Sequence, residues 1–141
     1  MFKKILVPLD GSKLAEKILP QVEELVKFSG AEVHLLRVVM TYDIDPQKDK
    51  EHLQKLSGEA QEYLDQVAAR LKKSGIQVSA TVAYGKDAVQ ICDYASEKKF
   101  NLFAMSTHGR SGLGRWTLGS VADKVLHCSS VPVMLFRVTE S

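Results

Sequence analysis

Residues 105–120, "MSTHGRSGLGRWTLGS", hold four glycines among sixteen residues, together with two arginines and the chain's only tryptophan. Glycine costs backbone entropy, so such a cluster marks a tight turn, a close approach to a ligand, or a plain loop. Amides exposed along the loop, and at a helix opening with "GS", would favour an anion. The segment is not a dinucleotide fingerprint, because "GRSGLG" has the wrong spacing and lies far from the first apolar run. Gly109 and Gly114 are spaced as in a Walker loop, but Arg115 and Trp116 stand where lysine and a magnesium-binding hydroxyl are required. Ser120 and Asp123 form a capping-box-like pair, a structural use compatible with a phosphate contact.

Other residues offer less. Asp10-Gly11-Ser12 is strong turn chemistry directly after the apolar run "ILVPL". His108 lies in the glycine loop, but no second histidine, carboxylate pair or nucleophile accompanies it, so catalysis is not expected. His34, His52 and His127 show no metal-ligand spacing. Cys92 and Cys128 fall in helical patterns without such spacing either, and both are expected reduced, in a cytosolic setting.

These residues must be positioned by the elements around them. "KKILVPLD" (3–10), "AEVHLLRVV" (31–39), "IQVSATVAYG" (76–85), "NLFAMS" (101–106) and "VPVMLFRV" (131–138) read as strands, mostly buried. Between them, residues 12–30 have apolar positions at Leu14, Ile18, Val22, Leu25 and Val26, which is helical spacing. Ser12 is the expected N-cap, Gly30 the C′ residue, and Pro20 predicts a kink or break. A second helix over 53–75 buries Leu53, Leu56, Ala60, Leu64, Val67 and Leu71. A third over 86–99 buries Val89, Ile91, Cys92 and Ala95, and a fourth covers 120–130. Strands alternating with helices predict a single α/β domain over 1–141: an open, five-stranded parallel sheet with helices on both faces, Rossmann-like in layout. Ligands of such sheets sit beyond the carboxyl ends of the strands, where strand order reverses. That rule selects "PLDGS", "RVVM" and the glycine loop.

Composition fits this picture. Of the 141 residues, 45% are hydrophobic and 26% charged, an ordinary globular balance, and the net charge of +2 gives no reason to expect nucleic-acid or membrane binding. The basic start "MFKK" precedes too short an apolar run for a signal peptide, and no stretch approaches the roughly 18 apolar residues of a membrane span.

Over essentially its whole length the chain resembles the universal stress protein family. "KKILVPLDGS" is similar to that family's first strand and turn, and "VAYGKDAVQICDYA" to its third strand and following helix. "MSTHGRSGLGRWTLGSVADKVL" resembles the segment that marks the ATP-binding branch: glycine, two residues, glycine, nine residues, glycine, then serine or threonine. Here these positions are Ser106, Gly109, Gly119 and Ser120, so three of the four match. Serine at 106 would cost about 1–2 kcal/mol if that position needs a positive φ. It is harmless if only a small side chain is required, which is the expectation adopted. Asn101 also departs, standing where the family usually has aspartate.

The resemblance implies an adenine nucleotide alpha-hydrolase-like fold that binds ATP, or ADP or AMP, in a regulator or sensor of stress rather than an enzyme. Pro8, Leu9 and Asp10 would form the adenine and ribose side, with the backbone of Val38. Met105, Ser106, Thr107, His108, Gly109, Arg110, Ser111 and Gly112 would wrap ribose and phosphates, and Gly119, Ser120, Val121 and Ala122 would offer amides to the phosphate chain. A Mg²⁺ or Mn²⁺ ion would be held by nucleotide and water rather than by protein ligands. A nucleotide-free interaction module and a slow ATPase are the alternatives. The last strand is apolar on both faces, and the resemblance places it at the sheet edge, which predicts a homodimer paired through Val133–Val138.

Overall fold

A computed structural model describes residues 3–41, 44–85, 88–107 and 120–137, apart from the side chains of Leu14, Met40 and Ser120. In chain order the elements are β1 (Lys4–Pro8), α1 (Lys13–Glu16), α2 (Leu19–Ser29), β2 (Glu32–Met40), α3 (Lys50–Lys73), β3 (Val78–Gly85), α4 (Val89–Glu97), β4 (Leu102–Ser106), α5 (Ser120–Cys128) and β5 (Val133–Phe136). All strands run parallel, in the order β3-β2-β1-β4-β5. The chain builds outward from β1 to β3, then crosses back to place β4 on the other side of β1. Strand order therefore reverses between β1 and β4.

Alternation along each strand sends neighbouring side chains to opposite faces. Ile5, Val7, Val33, Leu35, Leu102 and Ala104 pack beneath α2 and α3, against Val22, Leu64, Val67 and Leu71. Leu6, Leu36, Val38, Phe103 and Met105 pack on the opposite face with Ile91, Cys92 and Ala95 of α4 and Ala122 and Val125 of α5. β5 divides the same way, with Met134 and Phe136 on the first face and Val133 and Leu135 on the second.

Local signals hold at most boundaries. Ser12 Oγ accepts the Ala15 N–H (3.1 Å), and Gly30 takes a left-handed φ of 68° while its N–H closes on the Val26 carbonyl. Pro20 sits in the first turn of α2, where its missing N–H costs nothing, so the periodic segment divides into α1 and α2 just before it. α3 begins at Lys50, three residues before the expected start, with Leu53 and Leu56 only half-buried, and α5 ends at Cys128, two residues early. Four further readings need correction. Val89 is 46% exposed, because the inward stripe of α4 is Ala88, Ile91, Cys92 and Ala95, and position 89 lies off it. α4 stops at Glu97, two residues early. Lys99 takes a positive φ of 58°, and the Phe100 N–H reaches back to the Ala95 carbonyl, a Schellman-type end without glycine. β5 spans only Val133–Phe136, and Val138 lies outside the described residues. Finally, Cys92 and Cys128 are joined by a disulfide rather than reduced. Packing α4 beside α5 brings the two residues together, which their 36-residue separation conceals.

Asn101 has a structural use. Its Oδ1 accepts the N–H groups of Lys3 (3.0 Å) and Lys4 (2.8 Å), tying the start of β1 to the start of β4.

On the α4 face, His34 sits among hydroxyls. Its Nδ1 lies 2.7 Å from Ser79 Oγ, and its Nε2 lies 2.8 Å from Thr81 Oγ1 and 3.0 Å from Tyr94 Oη. Burial first, then the Lys4 charge, lowers its pKa below the ordinary 6.5, with Glu32 opposing. The folded state therefore binds fewer protons than the unfolded chain just below pH 6.5, and stability falls as pH drops from 6.5 through the lowered value. Urea midpoints between pH 8 and 5 should decline in wild type and flatten in His34→Gln; equal declines would remove His34 as the cause.

Candidate functional site at the strand-order reversal

The crevice begins where β1 and β4 part. Their paired residues are Ile5↔Leu102 and Leu6↔Phe103, whereas β1 and β2 stay in register through Pro8↔Leu36. The Leu9 N–H still reaches the Leu36 carbonyl (2.8 Å), and the chain then turns away at Gly11, whose φ is +86°. In a parallel ladder, alternate residues of β2 direct both backbone groups toward β1 and the others toward β3. Leu36 faces β1, so Val38, two residues on, directs its N–H and carbonyl to the same side, past the end of β1. Its side chain is buried in the α4 face. A hydrogen-bonding edge thus opens into the crevice at the place where Asp10 stands.

Asp10 is half-buried, and its Oδ1 accepts the Ser12 N–H (2.9 Å), which fixes the turn. Behind that turn, Glu16 of α1 is held by two residues of α3. Tyr63 donates its hydroxyl proton to Oε2 (3.0 Å), and Arg70 donates to Oε1 (2.6 Å). Burial, the hydrogen bond to Glu16, the charge of Glu16 and then that of Asp10 all raise the Tyr63 pKa, so the phenol keeps its proton and remains a donor. This clamp spans 47 and 54 residues of sequence, and no local pattern points to it.

On the other wall, Met105 and Ser106 end β4, both buried, with Thr107 half-buried behind them. Ser106 is in extended strand conformation, paired with Phe136, and the Thr107 N–H continues the ladder to the Phe136 carbonyl (2.9 Å). Among the described residues Lys99 is the only non-glycine with a positive φ, so serine at 106 carries no backbone strain. Ala122, in the first turn of α5, shares an apolar cluster with Val38 and Met105, which brings the start of that helix to the same end of the sheet. Pro8, Leu9 and Asp10 at the end of β1, Val38 on β2, and Met105, Ser106 and Thr107 at the end of β4 thus lie on three neighbouring parallel strands, while Val121 and Ala122 open α5 on the same face as Val38 and Met105. His108, Gly109, Arg110, Ser111, Gly112 and Gly119 lie outside the described residues.

Arg37 is an addition that the sequence did not suggest. Its Nη1 donates to the Val38 carbonyl (3.1 Å), placing a guanidinium on the acceptor of that edge. A separate open groove of about 740 Å³ lies at the β3 side, lined by Pro46, Lys50, Leu53, Ser57 and Tyr84, and it contains none of the expected site residues. Among the described residues no group of three or more His, Cys, Asp or Glu is placed to hold a metal ion. No described helix is long and apolar enough to cross a membrane.

Residues 1–137 match the model of the Universal stress protein family. A curated relative, Universal stress protein MJ0531 of Methanocaldococcus jannaschii, is 31% identical over 97% of this chain and 83% of its own length. The solved structure of MJ0577, from the same organism, superposes with a TM-score of 0.89 at 30% identity, covering 100% of this chain and 99% of that one. More distant structures share the fold: an Arabidopsis thaliana family protein with AMP bound (TM-score 0.73, 17% identity, 98% and 93% covered), and a universal stress protein in complex with cAMP (0.65, 18%, 98% of each). The architecture is the adenine nucleotide alpha-hydrolase-like fold of these proteins.

Two substitutions separate backbone from chemistry here. Ser106→Gly adds chain entropy to a strand that needs no left-handed residue, so stability should fall by about 0.5–1 kcal/mol in urea unfolding. Asp10→Ala removes the acceptor of the Ser12 N–H and should cost about 0.5–1.5 kcal/mol. A Ser106→Gly protein more stable than wild type would contradict the strand assignment of that residue.

Proposed function

Because this chain belongs to the universal stress protein family, we propose that the crevice between β1 and β4 binds ATP or a related adenine nucleotide, and that the protein is a regulator or sensor in stress response. The observation that carries this reading is the backbone edge of Val38, directed past the end of β1 beside the Asp10 turn. A carbonyl acceptor next to an N–H donor complements the amino group and ring nitrogen of adenine. The same pair opposes the reversed polarity of a guanine edge. Asp10, half-buried and held by its turn, accepts from ribose hydroxyls. The backbone at the start of α5 supplies N–H donors to phosphates, where the helix dipole favours negative charge. AMP and cAMP bound to two other proteins of this fold support an adenine ligand.

In this reading a Mg²⁺ or Mn²⁺ ion would accompany the nucleotide, held by its phosphates and water rather than by protein ligands, and would neutralise phosphate charge. The protein's part is binding rather than turnover, so ATP should be recovered unhydrolysed. A cytoplasmic setting belongs to the same reading, and a disulfide there is a reversible one rather than a permanent staple. Arg37 favours one rival reading, a nucleotide-free interaction module, because its guanidinium already occupies the Val38 carbonyl. In the nucleotide reading that side chain swings aside as the base enters.

Calorimetric titration with ATP, ADP, AMP and cyclic AMP decides between the two. Asp10→Asn keeps an oxygen for the Ser12 N–H but loses the charge, so it should bind ATP about 5–100-fold more weakly, at near wild-type stability. No heat with any nucleotide at millimolar concentration would favour the module.

The dimer is part of the proposal as well. β5 is an edge strand bonded to β4, and all four of its residues are only half-buried. Pairing with a second copy would cover Met134 and Phe136 on one face and Val133 and Leu135 on the other, and would close the edge. Light scattering at micromolar concentration should report twice the chain mass, and Phe136→Lys should give monomer. A wild-type monomer overturns this arrangement.

A further inference from the structure

The disulfide between Cys92 in α4 and Cys128, the last residue of α5, is unexplained by the nucleotide site or by the core. Its Cα atoms are 6.2 Å apart, and the two residues differ in burial: Cys92 is 6% exposed, whereas Cys128 is an exposed residue. The helix it anchors is weakly held by packing. α5 has nine residues, too few for stability on its own, and Ala122 and Val125 are its buried hydrophobic side chains among those described. Val121 is half-buried and Leu126 is 42% exposed. The covalent link therefore does much of the docking of α5 against α4.

We propose that the Cys92–Cys128 bridge is a reversible thiol-exchange site, opened by a dithiol reductant at the Cys128 sulfur, and that opening it loosens α5 and weakens binding at the crevice. The second clause rests on the nucleotide reading above; the first does not. A thiolate of the reductant attacks Cys128 Sγ, the bridge breaks, and Cys92 leaves as thiolate and takes a proton from solvent. The reductant's second thiolate then attacks its own sulfur in the mixed disulfide. This closes a cyclic disulfide and releases Cys128, which takes the second proton. Two electrons and two protons pass from the dithiol to the bridge. Exposure at Cys128 gives the nucleophile its approach, and burial of Cys92 leaves a compact apolar thiol in the α4 face. Freed from α4, α5 keeps two buried side chains, and the amides of its first turn lose their fixed position at the crevice.

The experiment compares the full chain, oxidised and after dithiothreitol under native conditions, by alkylation and mass, hydrogen exchange and ATP titration. Both cysteines should alkylate after reduction, and α5 amides should exchange about 10-fold faster or more. ATP affinity should fall by about 5-fold or more, and oxidised glutathione should restore it. Cys128→Ser should match the reduced protein and ignore dithiothreitol. A bridge that opens only on denaturation, or α5 exchange equal in the two states, overturns the proposal. If the oxidised protein binds no ATP while α5 exchange still follows redox state, the thiol-exchange site stands and the nucleotide reading falls.

Discussion

Parallel strands cannot be joined by tight turns; each must be followed by a crossover that returns the chain to the same end of the sheet. Here the crossovers first add β2 and β3 to one side of β1, then β4 and β5 to the other. The helices that follow β1 and β4 therefore lie on opposite faces of the sheet. Everything assigned to the site follows from that arrangement. Pro8 to Asp10 follow the last residues of β1 that pair with β4, Met105 to Thr107 close β4 beside it, and the polar edge of Val38 is left unpaired by β1 because β1 ends before it does.

The two faces divide the work. The α2 and α3 face is an almost wholly apolar interior, and a charged clamp, Glu16 with Tyr63 and Arg70, ties α1 to α3 beside it. The ion pair is partly exposed, so its worth is positional more than energetic. The α4 and α5 face is more varied. It carries the half-buried His34 and its hydroxyl partners near the start of β2, a compact apolar cluster at the centre, and a short helix docked with the help of a disulfide. The groups that can sense pH and redox state, His34 and the Cys92–Cys128 bridge, both lie in this face, with the helix that would meet the phosphates.

The order of elements was legible because buried parallel strands are continuous apolar runs and the helices between them keep a clean period. That Asp10 and Ser106 stand at the carboxyl ends of neighbouring strands was legible because each closes an apolar run that reads as a buried strand. Asp10-Gly11-Ser12 announced its turn, and Gly30 its helix end. What was hidden depends on contacts between distant segments. Arg37 reaches the carbonyl of its own neighbour only because β1 stops short of Val38. Tyr63 and Arg70 meet Glu16 only once α3 lies across α1. The cysteine pair looked like two small apolar residues, which is how each behaves within its own helix, until the helices were side by side. Ser106 looked like a lost glycine, and its extended conformation removes that difficulty.

The account's central claim is a location: an adenine base reads the Val38 edge in the crevice between β1 and β4. Backbone amide shifts of the nitrogen-15-labelled protein, followed during titration with Mg-ATP, test this most directly. The account predicts the largest shifts at Leu9 to Gly11, Val38, Val39 and Thr107, with Tyr84 and Leu53 unmoved. Shifts concentrated instead at Leu53, Ser57 and Tyr84, in the groove beside β3, would contradict it.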